Sequence, residues 1–396
     1  MSRRAALAAA LVLTPCATFA QVDGLFDDMA SKELCEALRE SSPLAANLDA
    51  AFFFKNNEYF SPHAEGYTLI GYQLRPTLTY SPLEQLHLMG GLQALVYGGL
   101  EKTHYVRPDF AALWQATDWL GIQMGSLPGA ASHPTHEAVQ DPETQLTDVP
   151  ELGLQIWLRR PRLNGSAWLN WRQFIFLGDT IPERFTAGFS MSFTPSPGKI
   201  GASFKMPFAL IFNHIGGQIS NYPQKMQSIA NVAISPTLAL RTEAFVQEID
   251  FSLHVLAFHA MAGSEVRPFA DGMALCPEVS LTAKYLRANV EWYHAQNFYA
   301  PQGNPLLSSL SNYDETYYDK MRNLLILGAS FVKGIGTIGH FAVDAKGYLD
   351  TDASRFDYSY GITMVLTPGI HSHVGVIWQC LPLLLTSNRG SARDNQ

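Results

Sequence analysis

The chain of 396 residues carries 27 Lys+Arg and 35 Asp+Glu, a charged share of 16 % where a soluble domain has roughly 25 %. Its 47 % hydrophobic content excludes disorder, its formal charge of −8 a basic nucleic-acid binder, and four Cys in so long a chain a disulfide scaffold. After the first twenty residues no apolar run approaches the roughly 18 that a spanning helix needs, so a β-rich soluble protein or a membrane β-barrel remains.

The first twenty residues read as a secretory signal: Arg3 and Arg4, an apolar stretch from Ala5 to Leu13, and Thr18-Phe19-Ala20 as a small-x-small cleavage site. The rival lipoprotein reading at Cys16 puts Pro15 where a small residue is wanted. Residues 21–45 form a periplasmic segment with a short helix over Asp27–Arg39, which carries Leu34 and Leu38 on one face. Cys35, Cys276 and Cys380 show no metal-ligand spacing and read as lone thiols.

After Pro43 the hydrophobic period becomes two, the signature of half-buried strands. Over Gly71–Tyr80, Gln73, Arg75, Thr77 and Thr79 alternate with Tyr72, Leu74, Pro76, Leu78 and Tyr80. The same split sets Ser203, Lys205 and Pro207 against Ala202, Phe204, Met206 and Phe208. It sets Ser235, Thr237 and Arg241 against Ile234, Pro236, Leu238 and Leu240, and Glu278, Ser280, Thr282 and Lys284 against Leu275, Pro277, Val279 and Leu281. Many segments run about nine to twelve residues, the length a tilted strand needs to cross a bilayer. Long connections are predicted at 55–67, 98–108, 126–150, 213–228, 262–271, 299–320 and 345–355. Tight turns fall between them near Ser81-Pro82, Thr117-Asp118, 194–198, Lys333-Gly334 and 367–369. Tyr72, Tyr80, Trp119, Trp168, Trp171, Trp292, Tyr358, Tyr360 and Trp378 suit interfacial girdles. About seventeen strands can be counted, but a closed bacterial barrel has an even number, which favours sixteen within a range of 14 to 18.

These features resemble the outer-membrane β-barrels of Gram-negative bacteria, and the strand number is most similar to the porin class. The expected fold is all-β, a transmembrane antiparallel barrel over residues 46–380 with a tail at 381–396. Asn56-Asn57-Glu58-Tyr59-Phe60 with Gly66-Tyr67 and Gly71–Pro76 also resembles a motif of an uncharacterised barrel family, which implies no reaction. The resemblance implies an outer-membrane location and a passive channel for small solutes. The alternative is a non-conducting barrel that serves a secretion or uptake complex as a binding or scaffold component. Its implied partners are outer-membrane lipid, lipopolysaccharide and small solutes, with homo-oligomer or envelope-complex formation and no nucleic acid.

Ionisable residues on the polar strand faces belong in the lumen, because Arg or Lys facing lipid near mid-membrane costs about 2 to 4 kcal/mol. These are Arg75, Glu151, Arg159, Lys205, Arg241, Glu243, Glu278, Lys284 and Glu291, either lining a pore or bracing the wall as ion pairs. Three sets could carry chemistry. Asn213-His214 with Ser220-Asn221 lacks the His-x-Ser spacing of outer-membrane phospholipases; His133, His136, Asp141 and Asp148 share the longest loop; His371 and His373 share a strand face. None is complete, so the sequence alone is read as a non-enzyme without cofactor or metal.

Overall fold

The structure is a computed structural model that describes residues 44–370 apart from 130–132, 134, 196–199, 218, 263–267, 315, 337 and 368. The expected signal, N-terminal helix and tail, together with Cys35, Cys380, His371, His373 and Trp378, lie outside the described residues. Among the described residues, eighteen strand segments follow in order. They begin with β1 (Leu44–Glu58), β2 (Tyr67–Leu83), β3 (Leu86–Tyr97), β4 (Tyr105–Thr117), β5 (Leu120–Ser126) and β6 (Leu152–Arg160). Next come β7 (Leu163–Gln173), β8 (Glu183–Phe193), β9 (Gly201–Gly216), β10 (Gln227–Ile234), β11 (Thr237–Arg241) and β12 (Glu248–Ala262). The last are β13 (Asp271–Ala283), β14 (Leu286–Gln296), β15 (Met321–Gly334), β16 (Gly339–Asp350), β17 (Arg355–Leu366) and β18 (Gly369–Ile370).

Each strand pairs antiparallel with its sequence neighbour, and β1 closes the ring by pairing with β2 on one side and with β17 and β18 on the other. β10 and β11 both lie between β9 and β12, and β17 and β18 both lie along β1, so each pair is one interrupted wall strand. The wall is therefore a closed barrel of sixteen strands. Closure is what hydrocarbon demands, because an open edge would leave backbone N–H and C=O groups without partners. Long and short connections alternate as expected, with one difference at each of two places. The β7–β8 connection over 174–182 is a long loop that the sequence did not mark, and β16 runs on to Asp350, which leaves a four-residue connection where a longer one was predicted.

The two faces separate by parity. On β9, Phe204, Met206 and Leu210 are exposed to the lipid side, while Ser203, Ala209, Ile211 and Asn213 are buried toward the lumen. A lumen this wide would hold water if nothing entered it. Here two long-loop segments do. The described residues of 127–151, with the short helix α1 (Thr144–Thr147), and of 297–320, with a 3-10 turn at Pro305–Leu307, fold inward. Ala138, Val139, Phe298, Leu306 and Leu307 join lumen-facing Ile211, Ile229, Leu256 and Tyr293 in one apolar cluster, and Leu146 joins Ala51, Phe53, Leu95 and Val365 in a second. The segments also hold each other: Asp141 N donates to Gln302 O at 2.7 Å and Asn304 N to Glu137 O at 2.8 Å.

Trp168 departs from its expected place in a girdle. Its indole faces the lumen and lies against Gly188 of β8, where a Cβ would fall 2.1 Å from the ring, and His133 stacks on its other face at 3.5 Å. The glycine lets the ring lie flat enough to receive the loop. Tyr72, Tyr80, Trp171, Trp292, Tyr358 and Tyr360 do face outward.

Leu253 and Ser252, adjacent on β12, test the two faces directly. Leu253→Arg points into lipid and should cost about 2–4 kcal/mol, whereas Ser252→Arg, which faces the lumen opposite Glu278, should cost much less. Urea unfolding in lipid vesicles reads both, and equal costs would reverse the assigned facing.

Candidate functional site

Four serine–histidine contacts occur among the described residues, Ser61–His63, Ser81–His87, Ser228–His214 and Ser235–His254, and the last two lie on opposite faces of the wall. The outer one lies where β8, β9 and β10 reach the long-loop rim. His214 and Ser228 are paired across β9 and β10, each within two residues of its strand end, and their parity is that of the lipid-facing residues. His214 Nδ1 and Ser228 Oγ are 3.0 Å apart. Phe185 of β8, directly opposite His214, stacks on the imidazole at 4.8 Å, and Phe212 flanks it at 6.4 Å. The Nε2 edge looks toward Gly216, where a Cβ would lie 3.4 Å from that nitrogen, and Met226 packs over the same spot. Glu183, paired with Gly216, places a carboxylate on this outer face as a diagonal neighbour of His214.

The lumenal arrangement is a hydrogen-bonded chain across three wall strands. His254 Nδ1 lies 2.8 Å from Ser235 Oγ, and its Nε2 lies 3.1 Å from Glu278 Oε2. Next to it, His136 from the inward segment reaches Glu291 Oε1 at 3.0 Å. His136, Cys276 and Glu291 are buried, with donor atoms within 4.8 Å of one another, the one trio among the described residues that could converge on a metal. Ala138 N donates to His136 Nδ1, which assigns the neutral ring's proton to Nε2, toward Glu291. A metal on Nε2 would have to displace that proton, and His136 and Glu291 already form a hydrogen-bonded brace.

The nine residues expected in the lumen divide into three groups. Arg75 is buried and paired with Asp109 of β4; Lys205 and Arg241 share Glu248 at 3.9 and 2.9 Å; Arg159 lies beside the Trp157 ring. Glu278 and Glu291 hold the two histidines, and Glu151 lies at the end of the inward segment, 3.2 Å from His133. Glu243 and Lys284 are corrections: both fall in exposed turns beyond the ends of β11 and β13, Lys284 with its ammonium over the Tyr285 ring. The period was carried past the point where the strands stop.

The wall also carries lumenal groups that the sequence reading missed. Lys346 pairs with Glu137 and Lys55 with Asp344, each at 2.7 Å, and Arg322 donates to the carbonyls of Leu306 and Ser308. Parity on β15 places Arg322 with Leu324 and Ile326, so the same alternation would have found it. His133, His136, Asp141 and Asp148 do not meet: His133 goes to Glu151, His136 to Glu291 and Asp148 to Arg172. His214 does not use Ser220, whose hydroxyl bonds the Gly217 carbonyl. Its partner is Ser228, fourteen residues along the chain and adjacent only through strand register.

A family model for lipid A 3′-O-deacylase-type proteins matches residues 36–371. The chain belongs to this family. The reading of the chain as a non-enzyme is thereby overturned, since the family is described by a deacylation. Among curated proteins none matches the sequence. Solved structures of similar fold include the outer membrane protein OprD from Pseudomonas aeruginosa, 10 % identical with a TM-score of 0.51, covering 84 % of this chain and 97 % of that one. A loop L8 deletion mutant of OmpT, an outer membrane protein of Vibrio cholerae, is 11 % identical with a TM-score of 0.50, covering 82 % and 100 %. At such identities these likenesses speak for the fold, a porin-like outer-membrane barrel.

Inside the lumen, Asp141 lies beside Glu143 in a pocket also lined by Glu137, Lys55 and Lys346. Burial and the Glu143 charge raise its pKa from 3.8 to about 7. A folded pKa above the unfolded one means stability that is full below about pH 4 and is lost as pH rises through 7. Asp141→Asn should remove this slope: its melting temperature should match wild type near pH 4 and exceed it at pH 8, by thermal melts in detergent.

Proposed function

We propose that the chain hydrolyses an ester-linked acyl chain of lipid A from the outer leaflet, with Ser228 as nucleophile and His214 as its base. The observation that carries this reading is the 3.0 Å contact between His214 Nδ1 and Ser228 Oγ on the lipid-facing wall at the long-loop rim. Lipid A esters lie where acyl chains meet the sugar headgroup, and a rim site reaches that depth from within the leaflet. Ser228 Oγ attacks the carbonyl carbon while His214 takes its proton, and the proton passes to the departing sugar oxygen as the acyl–enzyme forms. Water, deprotonated by His214, then releases the fatty acid and restores the serine. Glu183 would orient the imidazole.

The lumenal Ser235–His254–Glu278 chain has more complete geometry, but the wall and the two inward segments separate it from lipid. Under this reading it braces the barrel. Passive diffusion of small solutes is a second reading, favoured by the charged periplasmic half of the lumen around Lys205, Arg241, Glu248 and Asp250. It would be seen as single-channel conductance in planar bilayers, and the packed upper lumen argues for small values.

Ser228→Ala and His214→Gln should each lower acyl release from lipid A by about 10³-fold or more, read by mass spectrometry of extracted lipid A, while Ser235→Ala keeps it near wild type. A fluorophosphonate probe should label Ser228. Labelling at Ser235, or full activity in Ser228→Ala, would remove the outer-wall site.

A further inference from the structure

Beside the His214–Ser228 pair stands a surface that the hydrolytic reading does not use. The β7–β8 loop carries Phe174, Phe176 and Leu177 at 64, 72 and 85 % exposure, an apolar tip that water alone would not favour. Ile175, between them, is 2 % exposed and packs against Gly217 of the β9–β10 loop. Alternation thus roots the tip through one residue and turns the others outward. The two loops are tied by backbone bonds, Gly178 N to Ile219 O at 2.9 Å and Asn221 N to Asp179 O at 2.7 Å, with Asn221 Nδ2 to Gly178 O at 3.3 Å. Phe174 and Phe176 meet edge to face at 5.2 Å. This is a fixed platform, and exposed Ile219 and Met226 extend it from the second loop.

The platform connects to the site by chain continuity. Its first loop leads into Glu183 and Phe185, and its second spans from Gly216 to Ser228, with Met226 against the Nε2 side of His214. Below it the lipid-facing wall continues through Phe185, Phe212 and Phe208. We infer that the two loops form a lip that seats an acyl chain of the outer-leaflet lipid and delivers its ester end toward His214 and Ser228. The occupant is an acyl chain because the surface is apolar, continuous with the lipid-facing wall, and open at the height where that wall ends. The inference rests on the hydrolytic reading for the chain's direction, but not for its seat.

Phe176→Trp in vesicles of brominated phosphatidylcholine tests the seat without activity. Against the wild-type tryptophan background, the added emission should be blue-shifted and quenched by about half or more relative to unbrominated vesicles. Solvent-like, unquenched emission would overturn the lip. Phe176→Asp with Leu177→Asp should raise KM for a vesicle-borne lipid A substrate by about tenfold or more, leave kcat unchanged, and leave hydrolysis of a short water-soluble ester unaltered. Equal losses on both substrates would mean that the loops merely support the fold, and would overturn the delivery role. Should wild type hydrolyse neither ester, the hydrolytic reading fails, and quenching alone decides whether lipid occupies the lip.

Discussion

Everything in this molecule depends on the closure of β1 against β17. In hydrocarbon each backbone N–H and C=O must find a partner within the protein, and a sheet does so only as a ring. Once the ring forms, strict alternation assigns every residue to lipid or lumen. Val279 and Glu278, one residue apart, then live in opposite solvents. A ring of sixteen strands is also too wide for its own side chains to fill. The inward segments at 127–151 and 297–320 meet that second constraint. They bury apolar side chains against the lumen face and turn a pipe into a packed core.

The charges follow from this filling. A carboxylate or guanidinium held away from water needs a partner of opposite sign or several hydrogen bonds. Lys346 with Glu137 joins wall to segment, and Arg322 joins wall to the carbonyls of Leu306 and Ser308. Both attach a mobile kind of element, a loop, to a rigid one. The same argument separates bracing from pore lining among the charges read from the sequence. Arg75, paired with Asp109 and buried, cannot present free charge to a solute, while Lys205 and Arg241 stand partly exposed near the periplasmic end.

Strand order, facing and the even strand count were legible because period two is a property of consecutive residues. Gly71–Tyr80 announced β2, and Glu278 and Lys205 announced their lumenal faces. Strand ends were less so, because a turn such as the one holding Lys284 continues the pattern for a residue or two without continuing the strand. The proposed site was nearly invisible. His214 was noticed, but Ser228 is its neighbour by register across β9 and β10, and linear spacing does not carry register. Whether a long loop folds inward was also out of reach, since Leu306 and Leu307 look like any apolar pair until something encloses them.

On the proposed hydrolytic reading, the position of His214 and Ser228 would resolve a conflict inherent in lipid hydrolysis. The ester is delivered from a medium that excludes water, yet the acyl–enzyme needs water to turn over. A pair at mid-barrel would meet acyl chains but no water, and a pair on a loop tip would meet water but few ester carbonyls. Within two residues of the strand ends, such a pair would meet chains along Phe185 and Phe212 and water from the loop side. Low dielectric on the lipid side would strengthen the hydrogen bond between His214 and Ser228. The rigid wall beneath, held by its filled lumen, keeps the two strands in the register on which that bond depends.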